Sequence, residues 1–393
     1  LAMRQHRLHL MNSDLEKATA LLERVLDQYP GHPQTARQLY EMYAKRGKNE
    51  QALALLEDLM DSPETKAFAL MKLVEYYRSR GDLEKSNQYL EEAFNSDDLS
   101  MDAKVQYLLA LLPYTSDAEI QKQVDRLSHQ VHQENPESPT LNALRGDLFR
   151  LQGKMDSARW YYRNSLEYDA TNQLVWRQLL NVDATQNNTE QLVEDSEDAL
   201  ELFPNNQQFL YLNGLANIQA EDYETAVSRL SKFVRIGSPE TQMQAHVHAL
   251  LGDSYNYLKE YALSDSHYTE ALKLEPDNAT ALNNFAYFLA LRGEKMDSAR
   301  KMIQRALKLE PKKASFQDTY GWILYLDGDY EEALKWLLKA YTQSQSGEIC
   351  FHIAETYLKL GKTDKALIYW REAEEKGYSE PKLQERLKQY GSQ

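Results

Sequence analysis

The chain has a single cysteine, little proline or glycine, no excess of basic residues and no long apolar run. One cysteine cannot form an intramolecular disulfide or a thiolate metal cluster. With 45 Lys and Arg against 60 Asp and Glu, the net charge of -15 disfavours binding to nucleic acid or to an anionic membrane, since both depend on a basic surface. The most apolar stretch, Tyr107 to Leu112, is far shorter than the roughly 20 residues that a transmembrane helix needs.

The length of the chain is compatible with several domains or with one repeat array. A single hydrophobic core stops growing near roughly 250 to 300 residues. This chain has 393 residues, of which 42% are hydrophobic. Only 15 Gly and 11 Pro favour helices joined by short turns, whereas composition offers no explanation for the 26 tyrosines.

A regular pattern of residue pairs runs along nearly the whole sequence. The second residue of each pair is often small, and a large apolar residue follows three positions later, as in Leu251-Gly252 with Tyr255. These second residues form a first ladder, whose members lie mostly 34 positions apart, at 40, 74, 108, 146, 180, 214, 252, 286, 321 and 354. A second ladder of mostly small residues runs in phase, from Ala18 to Ala366. Gly or polar turns fall between the ladders, so each unit is predicted to be a helix, a turn and a helix.

This 34-residue period, with small and aromatic residues at fixed positions, resembles the tetratricopeptide repeat. The match is clear at residues 245–278, where Leu251, Gly252, Tyr255, Tyr268 and Ala271 occupy the positions that the family prefers. The resemblance implies an all-α fold, a right-handed α-solenoid of about eleven helix-turn-helix units with a short C-terminal capping helix.

The eleven units are predicted to begin near residues 1, 33, 67, 101, 139, 173, 207, 245, 279, 314 and 347. Two 38-residue steps divide them into groups over residues 1–138, whose fourth unit has a longer second helix, 139–244 and 245–380. Residues 381–393 are predicted to form the cap, because a solenoid needs a polar cover over its last apolar face. Leu1 falls inside the first helix of a partial unit and is not Met, so we expect that further repeats or a removed leader precede it.

Residue patterns typical of catalytic and metal sites are absent from the sequence. There is no His-Glu-x-x-His metal motif, no glycine-rich phosphate loop and no Gly-x-Ser-x-Gly nucleophile motif. The close histidine pairs lack a third ligand in register, and Cys350 lies between apolar residues that give no reason for a reactive thiol. We therefore expect no enzyme activity, no cofactor and no metal site.

In the family, the second, fifth, ninth, twelfth and thirteenth residues of each unit line a concave groove. From about residue 208 these positions become aromatic, with acids and amides between them. Tyr and Trp are favoured in protein interfaces because they bring large area with few rotatable bonds. The partner-binding residues predicted on this basis are Tyr211, Asp253, Asn256, Tyr257, Asn283, Tyr287, Asp318, Trp322 and Tyr325.

The alternative interpretation of these aromatic residues is packing. They would then contact the next unit, as is expected of Tyr43, Tyr77, Tyr255 and Tyr357.

Two specialised grooves of the family do not fit this sequence. A carboxylate clamp needs Lys and Asn on one unit and further basic residues on the next, but Leu212 and Leu215 follow Arg177 and Asn181. An asparagine ladder of the sugar-transferase type needs Asn at one position throughout, and here that position varies.

The resemblance implies a non-catalytic scaffold that binds a partner peptide or helix in the groove. Units nine to eleven resemble those of exported bacterial repeat proteins, which predicts a location in the cell envelope, periplasmic or at the outer membrane through a missing N-terminal leader; otherwise the chain is cytoplasmic. The alternative is the regulatory or substrate-recruiting part of a larger protein, with a catalytic or DNA-binding domain outside this chain. The identity of the partner and the oligomeric state stay open.

Overall fold

The computed structural model describes residues 14–391, which form two compact units that divide after Leu179. Within this part of the chain there are 22 α-helices, a short 3-10 helix (Leu112–Tyr114) and no β-strand. The predicted all-α repeat array is confirmed. None of the helices within residues 14–391 is both long and apolar enough to cross a bilayer. The first helix of the predicted partial unit lies outside the described residues.

The first unit contains nine complete helices and the start of a tenth. They are α1 (Leu15–Gln28), α2 (Pro33–Lys45), α3 (Asn49–Leu59), α4 (Pro63–Ser79), α5 (Leu83–Asn95), α6 (Met101–Leu111), α7 (Ala118–Glu134), α8 (Pro139–Leu151), α9 (Met155–Tyr168) and α10 (Gln173–Thr185), within which the division falls.

The second unit contains the end of α10 and twelve further helices. They are α11 (Thr189–Leu202), α12 (Gln207–Gln219), α13 (Tyr223–Ile236), α14 (Thr241–Tyr257), α15 (Tyr261–Leu274), α16 (Ala279–Leu291), α17 (Met296–Leu309), α18 (Ala314–Leu326), α19 (Tyr330–Gln343), α20 (Gly347–Lys359), α21 (Thr363–Glu375) and α22 (Pro381–Tyr390).

Successive helices pair into hairpins at the predicted period. Eight of the ten first helices begin at the residue predicted from the ladders, and α4 and α14 begin one turn earlier, with 17 residues each. The longer second helix predicted in the fourth repeat is α7, which also has 17 residues. Four added residues are close to one helical turn of about 3.6, so the faces of these helices stay in phase. The grouping into three blocks of units stays a prediction.

The turn inside a hairpin requires a residue with positive φ. After α8, Gly153 has a φ of 73°, and the N–H of Lys154 donates to the carbonyl of Phe149 at 2.9 Å. This six-to-one hydrogen bond ends the helix, and glycine adopts the left-handed conformation without the steric penalty of a side chain. Glu221 and Lys259 make the same turn with φ values of 61° and 62°, which is why a polar residue can replace glycine in the sequence pattern.

The small residues of the first ladder accept a side chain from the second helix of the same hairpin, 16 positions later. A Cβ atom on Gly252 would lie 2.8 Å from the ring of Tyr268, and one on Gly214 would lie 2.6 Å from Leu230. Tyr268 and Leu230 are both fully buried. The ladder therefore marks the points at which two helices approach too closely for a side chain.

Ring stacking within the hairpins explains part of the tyrosine content. Rings 12 positions apart stack with their centroids 5.3 to 5.7 Å from each other, in the pairs Tyr77 and Tyr89, Phe149 and Tyr161, Tyr255 and His267, and Tyr357 and Tyr369. Tyr43 donates a hydrogen bond of 2.5 Å to Glu23 on α1. The tyrosines expected to pack do so, but Tyr77, Tyr255 and Tyr357 stack on the second helix of their own hairpin rather than on the next unit.

The predicted cap is α22, which covers the last hairpin. Leu383 is fully buried against Trp370 and its neighbours. The carboxylate of Glu355 on α20 is held by Arg386 Nε at 2.8 Å and by Lys382 Nζ at 3.1 Å. Burial alone would raise the pKa of Glu355, but the hydrogen bonds and charges of the two basic residues outweigh burial and lower it. The cap thus neutralises a buried acid as well as covering apolar surface.

We predict that Gly214→Ala lowers the free energy of unfolding by about 1–3 kcal/mol, because the new methyl group overlaps Leu230. Leu230→Ala removes the overlapping atoms, so the double variant should be more stable than the sum of the two single effects predicts. Urea denaturation of the three variants measures this coupling. Strictly additive effects would contradict the close approach of α12 and α13.

We predict that Arg386→Ala lowers the free energy of unfolding by about 3 kcal/mol near neutral pH, because the buried Glu355 carboxylate loses its closest cation. Lys388 is exposed on the same helix and has no ion pair among the described residues. Lys388→Ala therefore serves as the matched control and should change stability by less than about 0.5 kcal/mol. Equal effects of the two substitutions in urea denaturation would argue against the neutralising role of the cap.

Candidate functional site

Five first helices of the second unit, α12, α14, α16, α18 and α20, line one cavity of about 570 Å³. Residues four positions apart on α14, α16 and α18 face it together, because they share one side of a helix. These pairs are Asp253 and Tyr257, Asn283 and Tyr287, Asn284 and Phe288, Ala314 and Asp318, and Ser315 and Thr319. The lining is completed by Ile218, Ser344, Ser346, Glu348 and Ile349. It contains three carboxylates, several amides and hydroxyls, and no basic side chain.

One wall of the cavity is aromatic and open to solvent. The Tyr257 side chain is 56% exposed although its ring stacks on Tyr223, with the centroids 4.7 Å apart and the planes 7° from parallel. Its other neighbour is Phe288, whose ring lies 6.0 Å away in an edge contact. Stacking orients the Tyr257 ring while more than half of the residue stays exposed, which suits an aromatic residue that contacts a ligand.

Tyr287 connects two first helices across the cavity. Its hydroxyl donates a hydrogen bond of 3.0 Å to Glu348 Oε1 on α20. Burial and the adjacent Glu348 carboxylate raise the pKa of Tyr287 far above its usual value, so the hydroxyl remains a donor at all physiological pH values. The contact joins residues 61 positions apart.

The fold strongly affects the protonation of Asp253. Burial raises the pKa of its carboxyl group to about 6, although hydrogen bonds from Tyr268 and Asn284 act in the opposite direction. Both donors approach Oδ1, the Asn284 amide at 3.2 Å. Neutral donors therefore hold Asp253 in place without compensating its charge.

Asp318 forms a buried ion pair with His352 of α20. The imidazole Nδ1 lies 3.0 Å from Asp318 Oδ1 and 3.1 Å from Oδ2. Burial would lower the pKa of His352, but the charge and hydrogen bond of Asp318 outweigh it and raise the pKa above its usual value. The indole of Trp322 stacks on the imidazole at 4.0 Å, and Tyr325 stacks on Trp322 at 4.4 Å.

The pair of Asp318 and His352 is not arranged for nucleophilic catalysis. No hydroxyl group within residues 14–391 makes a hydrogen bond to the His352 ring, whereas a catalytic triad requires a nucleophile there. Asp318, Glu348 and His352 do offer one ligand atom each within 4.8 Å of one another, close enough to share a metal ion. No such set was expected from the sequence, because its members lie on two helices of different repeats.

The structure brings five of the nine predicted partner-binding residues to this cavity: Asp253, Tyr257, Asn283, Tyr287 and Asp318. The other four lie elsewhere. Tyr211 makes a hydrogen bond of 3.2 Å to His246, and Asn256 accepts one of 3.1 Å from Arg292. Trp322 and Tyr325 are only 6% and 9% exposed, so their surroundings are those of the packing alternative.

Two polar residues that make hydrogen bonds at the cavity were not predicted from the sequence. Glu348 is the second residue of the eleventh repeat, and Asn284 is the sixth residue of the ninth repeat. The family rule for groove positions includes the second residue, so Glu348 could have been found by applying that rule to the last unit. Asn284 lies outside the rule, and only its hydrogen bond to Asp253 shows its role.

Comparison with known families is consistent with the repeat over three parts of the chain. Models described as tetratricopeptide repeat match residues 9–72 and 245–278. A model described as subunit 3 of the anaphase-promoting complex, or cyclosome, matches residues 292–373. No curated protein matches the chain in sequence.

Solved structures are similar to this chain at low sequence identity. A tetratricopeptide repeat protein from Parabacteroides merdae is 17% identical and superposes with a TM-score of 0.55, covering 64% of this chain and 97% of its own. The APC/C hetero-tetramer Cut9-Hcn1 (16% identity, TM-score 0.48) covers 98% of this chain and 95% of that chain. Yeast Tom70 (16% identity, TM-score 0.45) covers 100% of this chain and 94% of that chain. The similarity to the P. merdae protein concerns the fold alone.

We predict that Asp253→Asn stabilises the protein near pH 8 by about 1–2 kcal/mol, because the folded state no longer holds an ionised carboxylate in a partly buried position. A carboxyl group whose pKa is raised on folding weakens the fold as the pH rises from about 4 to above 6. The difference between wild type and variant should therefore vanish towards pH 4. Urea denaturation across this range tests the prediction, and a variant that is less stable at pH 8 would contradict it.

Proposed function

The chain belongs to the tetratricopeptide-repeat superfamily, and from this premise we propose that it is a non-catalytic scaffold that binds a segment of a partner protein in the cavity of its second unit. The repeat fold is one used for protein–protein interaction. The partner segment would lie against the first helices α14, α16, α18 and α20. Side chains at every fourth position of these helices would contact it.

The observation that carries this proposal is the composition of the cavity. Tyr257, Tyr287 and Phe288 supply apolar area with few rotatable bonds, and Asn283 and Asp318 supply polar groups at its base. Protein interfaces combine aromatic anchors with a few polar contacts in this way. The cavity is also open at Tyr257, so a chain segment can enter it without a rearrangement of the helices.

A scaffold function also agrees with the chemistry of the buried polar residues. His352 is committed to Asp318, and burial raises the pKa of the Cys350 thiol to about 12, so that it stays protonated. Neither residue is poised as a base or a nucleophile. The polar groups at the cavity are suited to recognition.

A location in the bacterial cell envelope stays a prediction from sequence resemblance. Fractionation of the source organism, followed by immunodetection of the protein in cytoplasmic, periplasmic and membrane fractions, would test it. Recovery in the cytoplasmic fraction alone would contradict this prediction without affecting the scaffold proposal.

We expect Tyr257→Ala to weaken binding of the partner by about tenfold or more, as is typical for loss of an aromatic anchor. Partners captured from lysate of the source organism would first be mapped to a binding segment, and the dissociation constant of that segment would then be measured. Tyr114 belongs to the first unit, is 61% exposed and does not line the cavity, so Tyr114→Ala is the matched control. Equal affinity of the Tyr257→Ala and wild-type proteins for every mapped segment would refute the proposed site.

A further inference from the structure

We propose that the cavity of the second unit binds the side chain of a lysine or arginine in the partner segment, between Asp253 and Glu348. The inference rests on the proposed scaffold function and adds the chemical class of the residue that is recognised. It follows from the charges at the cavity, from an unused hydrogen-bond acceptor and from a comparison with a second copy of the same motif in the first unit.

The cavity carries negative charge with too little compensation. Neither Asp253 nor Glu348 forms an ion pair with any residue in the described part of the chain. Their hydrogen bonds come from neutral groups, such as the Tyr287 hydroxyl on Glu348. Asp318 is paired with His352, but even a protonated His352 would leave an excess of negative charge over the three acids. A cation that enters the cavity would relieve this excess.

Glu355 shows how the same protein treats an acid that has only a structural role. It lies on α20, two turns after Glu348, and its side chain is fully buried. The cap supplies Lys382 and Arg386 to it, at 3.1 and 2.8 Å. A buried carboxylate of structural function is therefore neutralised by the fold, whereas Glu348 is left exposed towards the cavity.

The same motif, a Gly-Asp pair whose aspartate accepts a hydrogen bond from a tyrosine, occurs in both units. In the first unit, Gly146 is followed by an aspartate, Asp147, which accepts a hydrogen bond of 2.7 Å from Tyr162. Arg150, three positions after this aspartate, lies 3.9 Å from its carboxylate. In the second unit Gly252, Asp253 and Tyr268 repeat the arrangement, but the position of Arg150 is taken by Asn256.

The replacement removes the internal cation at the copy of the motif that lines the cavity. Arg292, which binds Asn256, directs its other nitrogen to Asp265 at 2.5 Å and makes no ion pair with Asp253. The aspartate of the motif is thus paired with an arginine in the first unit, whereas the corresponding Asp253 of the second unit has no cation.

Asn283 is only 8% exposed and lies at the base of the cavity. Its amide nitrogen donates to Asn284 at 3.1 Å, but its Oδ1 accepts no hydrogen bond from the described residues. A buried acceptor without a donor is unfavourable, because it has lost its hydrogen bonds to water and gained none in the protein. Lysine and arginine side chains carry several N–H donors and no acceptor, so they complement this group.

The aromatic wall suits the remainder of such a side chain. Lysine and arginine bury their methylene stems along apolar surfaces while the charged end remains in a polar environment. The exposed part of Tyr257 can receive the stem or the cation itself. An acidic side chain or a terminal carboxylate would meet three carboxylates and no basic group, and would be repelled.

The titration of Asp253 makes this recognition dependent on pH. Burial places its pKa at about 6, so the negative charge is lost as the pH falls below that value. The titratable groups that face it are Tyr268 on α15, Tyr257 on α14 and Tyr223 on α13, and all three have pKa values raised above normal by burial. They remain neutral while Asp253 titrates, so the change in charge is that of Asp253.

The test uses selection of a random-peptide phage library on the full chain. We expect the selected peptides to be enriched in lysine and arginine relative to the library. The enrichment should be lost when the selection is repeated on the double variant Asp253→Asn, Glu348→Gln. Glu331 is exposed on α19 and does not line the cavity, so selection on Glu331→Gln, with a charge change of the same kind, should give the wild-type result.

One selected peptide would then be compared with its acetyl-lysine form, or its citrulline form if the basic residue is arginine, by fluorescence anisotropy. We expect removal of the charge to weaken binding by about tenfold or more. Binding of the unmodified peptide should weaken between about pH 7.5 and pH 5.5, and less so for Asp253→Asn. Equal binding of the charged and neutral forms would overturn the proposal.

The outcomes separate this inference from the scaffold proposal. Peptides that are selected in the cavity without enrichment in basic residues would overturn the inference and leave the scaffold proposal intact. Failure to select any peptide, together with no partner captured from lysate, would count against both.

A metal ion is the competing occupant, and a titration of the protein with Zn²⁺ and Mn²⁺ addresses it. Tight binding of one ion that is lost in His352→Ala and that displaces the selected peptide would assign the charge to a metal at Asp318, Glu348 and His352. It would thereby overturn the inference of a lysine or arginine side chain. Absence of such displacement supports it.

Discussion

The contact between a glycine of one helix and a side chain 16 positions later holds the hairpins of this protein together. It recurs in the pairs Gly146 and Tyr162, Gly214 and Leu230, Gly252 and Tyr268, and Gly321 and Leu337. Each glycine lets the second helix approach so closely that a large buried side chain fills the space of the missing Cβ atom. The rotation of the first helix is thereby set, and with it the face that the helix turns away from its partner.

The candidate site depends on the same contact. Tyr268 packs on Gly252, and its hydroxyl reaches the next residue, Asp253, at the edge of the cavity. The helix period then places Tyr257 one turn further on the same face. A residue that packs the core therefore also positions an acid of the site, so that stability and recognition are coupled at this hairpin. Because burial raises the pKa of Asp253 to about 6, its charge opposes folding near neutral pH. Such a conflict is typical of functional sites.

Much of the fold was predictable because its signals are local. The period of 34, the small residues of the ladders and the turn glycines act within one hairpin, and eight first helices begin where the ladders place them. Part of the cavity lining was predictable, since groove positions follow from the repeat and Asp253 and Tyr257 at such positions line the cavity. That they bind a partner stays a prediction. Trp322 occupies a groove position as well, but His352 of the following repeat stacks on it and buries it. That contact depends on the identity of a residue in another repeat, which the periodic pattern does not contain.

The sequence by itself determined the helical repeat, the positions of the hairpins and the acidic character of the chain, because helix period, turn chemistry and charge are properties of nearby residues. Only the tertiary structure decided which acids are neutralised and which are not. Tyr287 meets Glu348 at a separation of 61 residues, and Glu355 meets Arg386 at a separation of 31. These pairings arise when separate repeats stack, and the balance of burial and charge at the cavity exists only after they have formed.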